Sequence, residues 1–238
     1  KPNSKDSKGL VASNMKLLIN ALELSSILNC KGFISLGSYE EYGSLNEIMN
    51  ENMSTKPKTI FGKTKLAISL TSLSYCENNG INGCHVRLSV PYSNIKTHYN
   101  WDMLSLINKL NKSERPIIEN SNQKVDLIHV SDVARGIIAL MENHSKGIYN
   151  LASGESVEYR NLVNMIKSEL KTNINPDFRE GPEKDLQINI NKILRETEWK
   201  PSISIWNGLN MLIQEKKFTA INDLKLFSDR IRALCKSS

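Results

Sequence analysis

Residues 31–66, KGFISLGSYEEYGSLNEIMNENMSTKPKTIFGKTKL, constrain the chain more than any other stretch. A short apolar run, Phe33-Ile34-Ser35-Leu36, stops at a Gly37-Ser38 turn. A polar loop then leads past Pro57 into a segment with Leu66, Ala67, Leu70 and Leu73 at helical offsets. This reads as a strand that ends at a serine, followed by a helix that starts near Phe61. Residues four apart share a helix face, so Phe61 and Lys65 point at the same place.

The flanking pattern extends that unit. Residues 10–28 read as a helix through Val11, Leu17, Leu18, Ala21, Leu22 and Leu28, with Ser13 or Asn14 as a late cap. A strand over 32–37, a helix over 60–78 stopped by Asn78-Asn79-Gly80, and a strand over 83–89 make a right-handed parallel crossover. Pro91 breaks the pattern. Beyond it come a helix at 100–111, extended pieces at 115–118 and 125–130, and a helix over 133–141 capped by Ser131 or Asp132. A strand at 147–151, a helix at 158–170, an extended piece at 177–179, short helices at 189–197 and 204–217 and a helical pattern at 221–234 complete the reading.

Composition narrows the class. A length of 238 residues suits one large or two small domains, and 39% apolar with 24% charged residues is globular rather than disordered. No apolar run approaches the roughly 18 residues of a membrane span. The first residues, KPNSKDSKG, lack the apolar core of a secretory leader. Cys30, Cys76, Cys84 and Cys235 show no CxxC spacing and read as free thiols of a cytoplasmic protein. The net charge of +6 would suit a phosphate-bearing ligand, but it is spread along the chain as a solvated basic surface, with no aromatic-interleaved patch for nucleic acid. His85, His98, His129 and His144 show no metal-ligand spacing and read as structural or exposed, so no metal site is expected.

Six motifs in order resemble the extended short-chain dehydrogenase/reductase family, also called the NAD-dependent epimerase/dehydratase family. GSYEEYG (residues 37–43) and FGKTK (61–65) resemble its Ser/Thr loop ending in Tyr-Gly and its Tyr-x-x-x-Lys. RLSVPYS (87–93), VDLIHVSDVARGI (125–137) and YNLASGESV (149–157) sit where the family has R-x-x-N-V-Y-G, R-D-F-I-x-V-x-D-V and Y-N-x-G-S-G. WKPSI (199–203) resembles the late L-G-W-x-P. The resemblance covers roughly residues 10–217. It implies an α/β fold, a partial Rossmann-like parallel sheet plus a smaller α/β substrate-binding lobe. Residues 1–90 would belong to the dinucleotide-binding domain and 91–238 mainly to the substrate lobe, with segments returning to the first.

The resemblance also implies roles. Ser38 falls on the catalytic Ser/Thr and would hydrogen-bond the sugar's C4 oxygen; Lys65 falls on the lysine that binds the nicotinamide ribose. Leu36 and Ser89 fall beside the cofactor, and Ser38, Tyr39, Glu40, Val90 and Arg179 on the substrate side, Arg179 as a diphosphate grip. The family's tyrosine falls on Phe61, which has no proton to give or take. Three readings compete: a substitution introduced to trap a ligand, a natural loss giving a binding relative, or replacement by Tyr39 or Tyr42. Glu40 is kept, yet Tyr39 stands where dehydratases have Asp. This leans toward a reductase of nucleotide-linked 4-keto-6-deoxy sugars, with a 4-epimerase, a dehydratase or a non-catalytic binding relative as alternatives. Val90 and Val125 replace the family's Asn and Arg and weaken polar recognition. NAD or NADP is the implied cofactor, a nucleotide sugar the substrate, and a homodimer through the helices near 10–28 and 60–78 the assembly. No G-x-x-G-x-x-G follows a strand, so the family's first 70 to 90 residues are expected to be missing, and the chain reads as a fragment without its own pyrophosphate cradle.

Overall fold

The computed structural model describes residues 7–43, 47–93, 103–182 and 184–214. Helix α1 (Ser7–Ile27) leads into β1 (Gly32–Leu36), whose carboxyl end runs into a short 3-10 turn at Tyr39–Glu41. Thr59 caps α2 (Ile60–Asn78) by accepting a hydrogen bond from Gly62 N, and Gly80, at φ +66°, releases the chain into β2 (Asn82–Leu88). β1 and β2 pair in parallel, Ser35 opposite His85 and Leu36 opposite Val86. β6 (Gly147–Leu151) pairs in parallel on the far side of β2, so the sheet order is β1-β2-β6.

Ser89 alone separates β2 from β3 (Val90–Tyr92), which joins a second sheet with β5 (Lys124–His129) and β7 (Ser156–Glu158). α3 (Met103–Asn111) precedes β4 (Ile117–Ile118), which pairs with β8 (Asp177–Phe178). α4 (Val130–Glu142), α5 (Tyr159–Glu169), α6 (Asn191–Glu196) and α7 (Ile205–Ile213) complete the described elements. The expected helix at 221–234 lies outside the described residues.

The structure departs from the expectations in three places. Ser13 and Asn14 do not cap α1: the helix already starts at Ser7, and both side chains donate back to the Leu10 carbonyl. Neither Ser131 nor Asp132 caps α4. His129 does, its Nδ1 accepting from Ser131 N, while Asp132 accepts from Ser202 N and Ile203 N and so ties α4 to the 199–203 segment. The face α2 buries is small and polar, with Gly62, Thr64, Ser69 and Ser72 inside beside Ile68 and Cys76, whereas Leu70 is 65% exposed. The physical reason is close approach to β1, whose Ser35 hydroxyl lies 2.9 Å from that of Ser72.

The described residues form two apolar clusters. The larger joins Val86, Tyr149 and Leu151 of the first sheet to Leu127, Leu162, Ile166 and Ile193. The smaller buries Leu18, Leu22, Ile68, Cys76 and Ile81, with Met15, Phe33 and Tyr75 packed against them, and it fastens α1 to α2.

Candidate functional site

Parallel strands place their carboxyl ends at one edge, where the chain must turn and backbone groups are left over for ligands. At that edge of β1 the sequence Ser38-Tyr39-Glu40-Glu41 forms a capping box. Ser38 Oγ accepts from Glu40 N at 3.2 Å, and Glu41 Oε1 accepts from Ser38 N at 2.9 Å. Ser38 is thereby held, buried, at the start of the turn. Across from it, Lys65 Nζ donates to the Leu36 carbonyl at 3.0 Å and lies 5.6 Å from the centre of the Phe61 ring. Burial lowers the Lys65 pKa below that of an ordinary lysine, against an opposing pull from the Glu41 charge. Leu36, Phe61 and Lys65 thus meet one residue from Gly37 and two from Ser38.

Behind Ser38 lies a buried ionic group. Glu41 and His85 are fully buried, and Arg87 nearly so. His85 Nε2 sits 3.0 Å from Glu41 Oε1, and Arg87 Nε donates to Glu41 Oε2 at 3.0 Å. His85 Nδ1 faces the Ser35 hydroxyl at 2.7 Å. Burial pushes the Glu41 carboxyl up. The His85 hydrogen bond and charge, the Ser38 N–H and the Arg87 charge together outweigh it and hold the group below the usual carboxylate range.

The neighbouring tyrosines and glutamate have defined partners. Tyr42 is buried beneath the Arg87 guanidinium, 4.5 Å from its ring centre, and donates its hydroxyl to Asn150 Oδ1 at 2.7 Å. Burial raises its pKa. Asn150 in turn donates to the carbonyls of Met49 and Asn189, fastening two loops under the site. Glu40 Oε2 accepts from the hydroxyl of Thr59, the cap of α2, and the Glu40 carbonyl packs against Gly62. Tyr39 is half-buried in the turn.

The remaining candidates stand elsewhere. Ser89 is buried between β2 and β3, its N–H donating to Leu151 O at 3.1 Å. Val90 and Val125 are core residues, Val90 in register with Leu127. Arg179 follows β8 and is exposed. Its guanidinium donates to Glu119 at 2.9 Å and to Asp177 at 3.1 and 3.2 Å, and these hydrogen bonds and charges raise its pKa.

The model described as NAD dependent epimerase/dehydratase family matches residues 1–152, and the chain belongs to that family. It is 22% identical over 174 residues to dTDP-L-rhamnose 4-epimerase of Burkholderia thailandensis, a match that covers 66% of this chain and 46% of that protein. The chain thus spans less than half the length of this relative. Among solved structures, UDP-glucose 4-epimerase of Thermotoga maritima with UDP-glucose superposes with a TM-score of 0.82 at 17% identity, covering 91% of this chain and 73% of that one. UDP-glucuronic acid 4-epimerase of Bacillus cereus with NAD gives 0.80 at 20% identity, covering 92% and 72%. These likenesses establish the fold.

The described residues include one group chemically suited to a nicotinamide ribose, the Lys65 ammonium. The Lys65 ammonium stands at the carboxyl edge of the strands beside Leu36 and Ser38, where a nicotinamide ribose could take its hydrogen bonds. Among the described residues no strand-to-helix turn carries three glycines, so the backbone cradle for a pyrophosphate is not among them.

Glu41, His85, Arg87 and Asn150 are not among the residues that the sequence motifs mark as a site. Two signals were available. Ser-x-x-Glu at 38–41 is a capping box, and His85 and Arg87, two apart on a strand, share one face.

Proposed function

We propose that this chain carries the sugar-side machinery of a nicotinamide-dependent nucleotide-sugar oxidoreductase of the 4-keto-6-deoxy sugar reductase type, and that Phe61 arrests it. The observation that supports this most is the meeting of Lys65 and Phe61 with the Ser38 turn. Residues 1–90 supply the cofactor side, and 91–238 mainly the sugar lobe. A bound nicotinamide supplies the hydride. Ser38 Oγ holds the C4 oxygen, Lys65 binds the ribose hydroxyls, and a hydroxyl at position 61 would deliver the proton that a C4 alkoxide requires.

Phenylalanine cannot do this, and Tyr42 cannot replace it, because its hydroxyl is buried on Asn150. Glu40 is engaged with Thr59 and Tyr39 stands where dehydratases carry an aspartate, which favours reduction over loss of water. A second reading, a binding relative without turnover, draws support from Lys65 lying near an apolar ring in place of a phenol. The assembly we propose is a cytoplasmic homodimer through α1 and α2, supported by the exposure of Leu17 at 70%, Leu24 at 54% and Ile27 at 74% on α1 beside Leu70 on α2.

The test is Phe61→Tyr in the full-length protein, followed by absorbance of the reduced nicotinamide with a panel of 4-keto-6-deoxy nucleotide sugars. Turnover should appear in the variant and be at least about 100-fold lower in the parent. Interconversion of C4 epimers without net oxidation of cofactor would move the assignment to a 4-epimerase. No turnover, with nucleotide-sugar binding intact by calorimetry, would leave the binding reading.

A further inference from the structure

We infer that Glu41, His85 and Arg87 form a buried positioning assembly whose task is to fix the backbone of Ser38, with Gly37 as the residue that lets it close. This rests on the reading of Ser38 as the residue that meets the sugar. Ser35, His85 and Glu41 have the spacing of a hydrolytic Ser-His-acid set, at 2.7 and 3.0 Å. Hydrolysis needs an open nucleophile, and here Ser35 is buried, bonded to Ser72 and covered by α2, with His85 and Glu41 fully buried. The group therefore acts on the protein itself.

Its output is one bond. Glu41 has three donors around it: Arg87 Nε on Oε2, and His85 Nε2 and Ser38 N on Oε1. His85 Nδ1 lies 2.7 Å from the Ser35 hydroxyl, which is 2.9 Å from that of Ser72, so the row continues from Glu41 to α2. The row runs from α2 through both strands and ends on the amide that places Ser38, whose hydroxyl is set in turn by Glu40 N. A site residue aimed in this way reaches its substrate without a search through rotamers.

Gly37 is the neighbour that permits it. A methyl group there would overlap both Glu41 Oε1 and His85 Nε2, so alanine must part the two partners without changing a single polar group.

The test uses full-length protein and reads hydrogen exchange of the Ser38 amide by NMR in Gly37→Ala and, as a variant that keeps the side-chain shape, Glu41→Gln. Exchange at Ser38 should accelerate about ten-fold or more in each, the scale of losing one charge-assisted hydrogen bond, while amides of α2 and β6 keep their rates. In a Phe61→Tyr background both variants should lower kcat more than they raise KM. An unchanged Ser38 rate in both variants would overturn the inference, as would acceleration spread evenly over β1, β2 and α2. The exchange readout decides even if Phe61→Tyr proves inert, so failure of the reductase reading and failure of the positioning assembly remain separable.

Discussion

Lys65 Nζ and the Leu36 carbonyl oxygen lie 3.0 Å apart, tying the second turn of α2 to the last residue of β1. Removing that donor tests whether the tie serves folding or ligand. Lys65→Met should change folding stability by less than about 1 kcal/mol, since the lysine stem is only half-buried and methionine refills it. In the full-length protein the same change should weaken nicotinamide cofactor affinity about ten-fold, roughly one hydrogen bond to a charged group. Urea denaturation and calorimetric titration read the two effects.

Gly62 presents a contest of signs. Alanine in a helix interior is worth up to about 1 kcal/mol over glycine. At position 62, however, a methyl group would collide with the backbone carbonyl of Glu40, which cannot rotate away. Overpacking should win, and Gly62→Ala should destabilise the protein by about 1–3 kcal/mol. A rise in melting temperature on that substitution would show that the turn at 39–41 is free to shift.

Arg87→Ala would leave the Glu41 carboxylate buried without its guanidinium, at a cost of about 3–5 kcal/mol. The pH dependence follows from the direction of the Glu41 shift. Its folded-state pKa lies below the ordinary value of 4.5, so its stabilising contribution is present above that value and is lost as pH falls through the folded-state pKa. Denaturant midpoints measured from neutrality into the acid range should fall more steeply in the parent than in Arg87→Ala. Equal slopes would mean that the Arg87 charge is not what lowers the Glu41 pKa.

The outer face of α1 offers a change that folding should ignore. Leu24→Lys places a charge where a leucine is 54% exposed, so monomer stability should move by less than about 0.5 kcal/mol. If α1 and α2 form the dimer contact, light scattering at micromolar concentration should show halved mass. An unchanged mass would place the contact elsewhere.

Local periodicity made much of this fold legible. β1, α2 and β2 lie within a residue or so of their expected limits, and Phe61 and Lys65 share a face because any helix would make them do so. What local periodicity does not reveal depends on contacts between residues distant in the chain. Small polar residues on α2 resemble a solvent face until Ser72 is found against Ser35. Nothing near His129 in sequence shows that its ring turns back onto Ser131 N and displaces the two expected caps. The carboxylate partners of Arg179 show the same limit: Asp177 is close in sequence, but Glu119 arrives only because β4 and β8 pair.

The separation of the two apolar clusters has an energetic consequence. Lifting α1 from α2 uncovers mainly Leu18, Leu22, Ile68, Cys76 and Ile81, and leaves the larger cluster untouched. Such a sub-global opening costs far less than unfolding the chain, so α1 amides should exchange, and the 28–31 link should meet proteases, through a state in which both sheets persist. Anything bound to the outer face of α1 closes that state by mass action, so that occupancy at this surface sets the lifetime of the first helix without altering the strands beneath it.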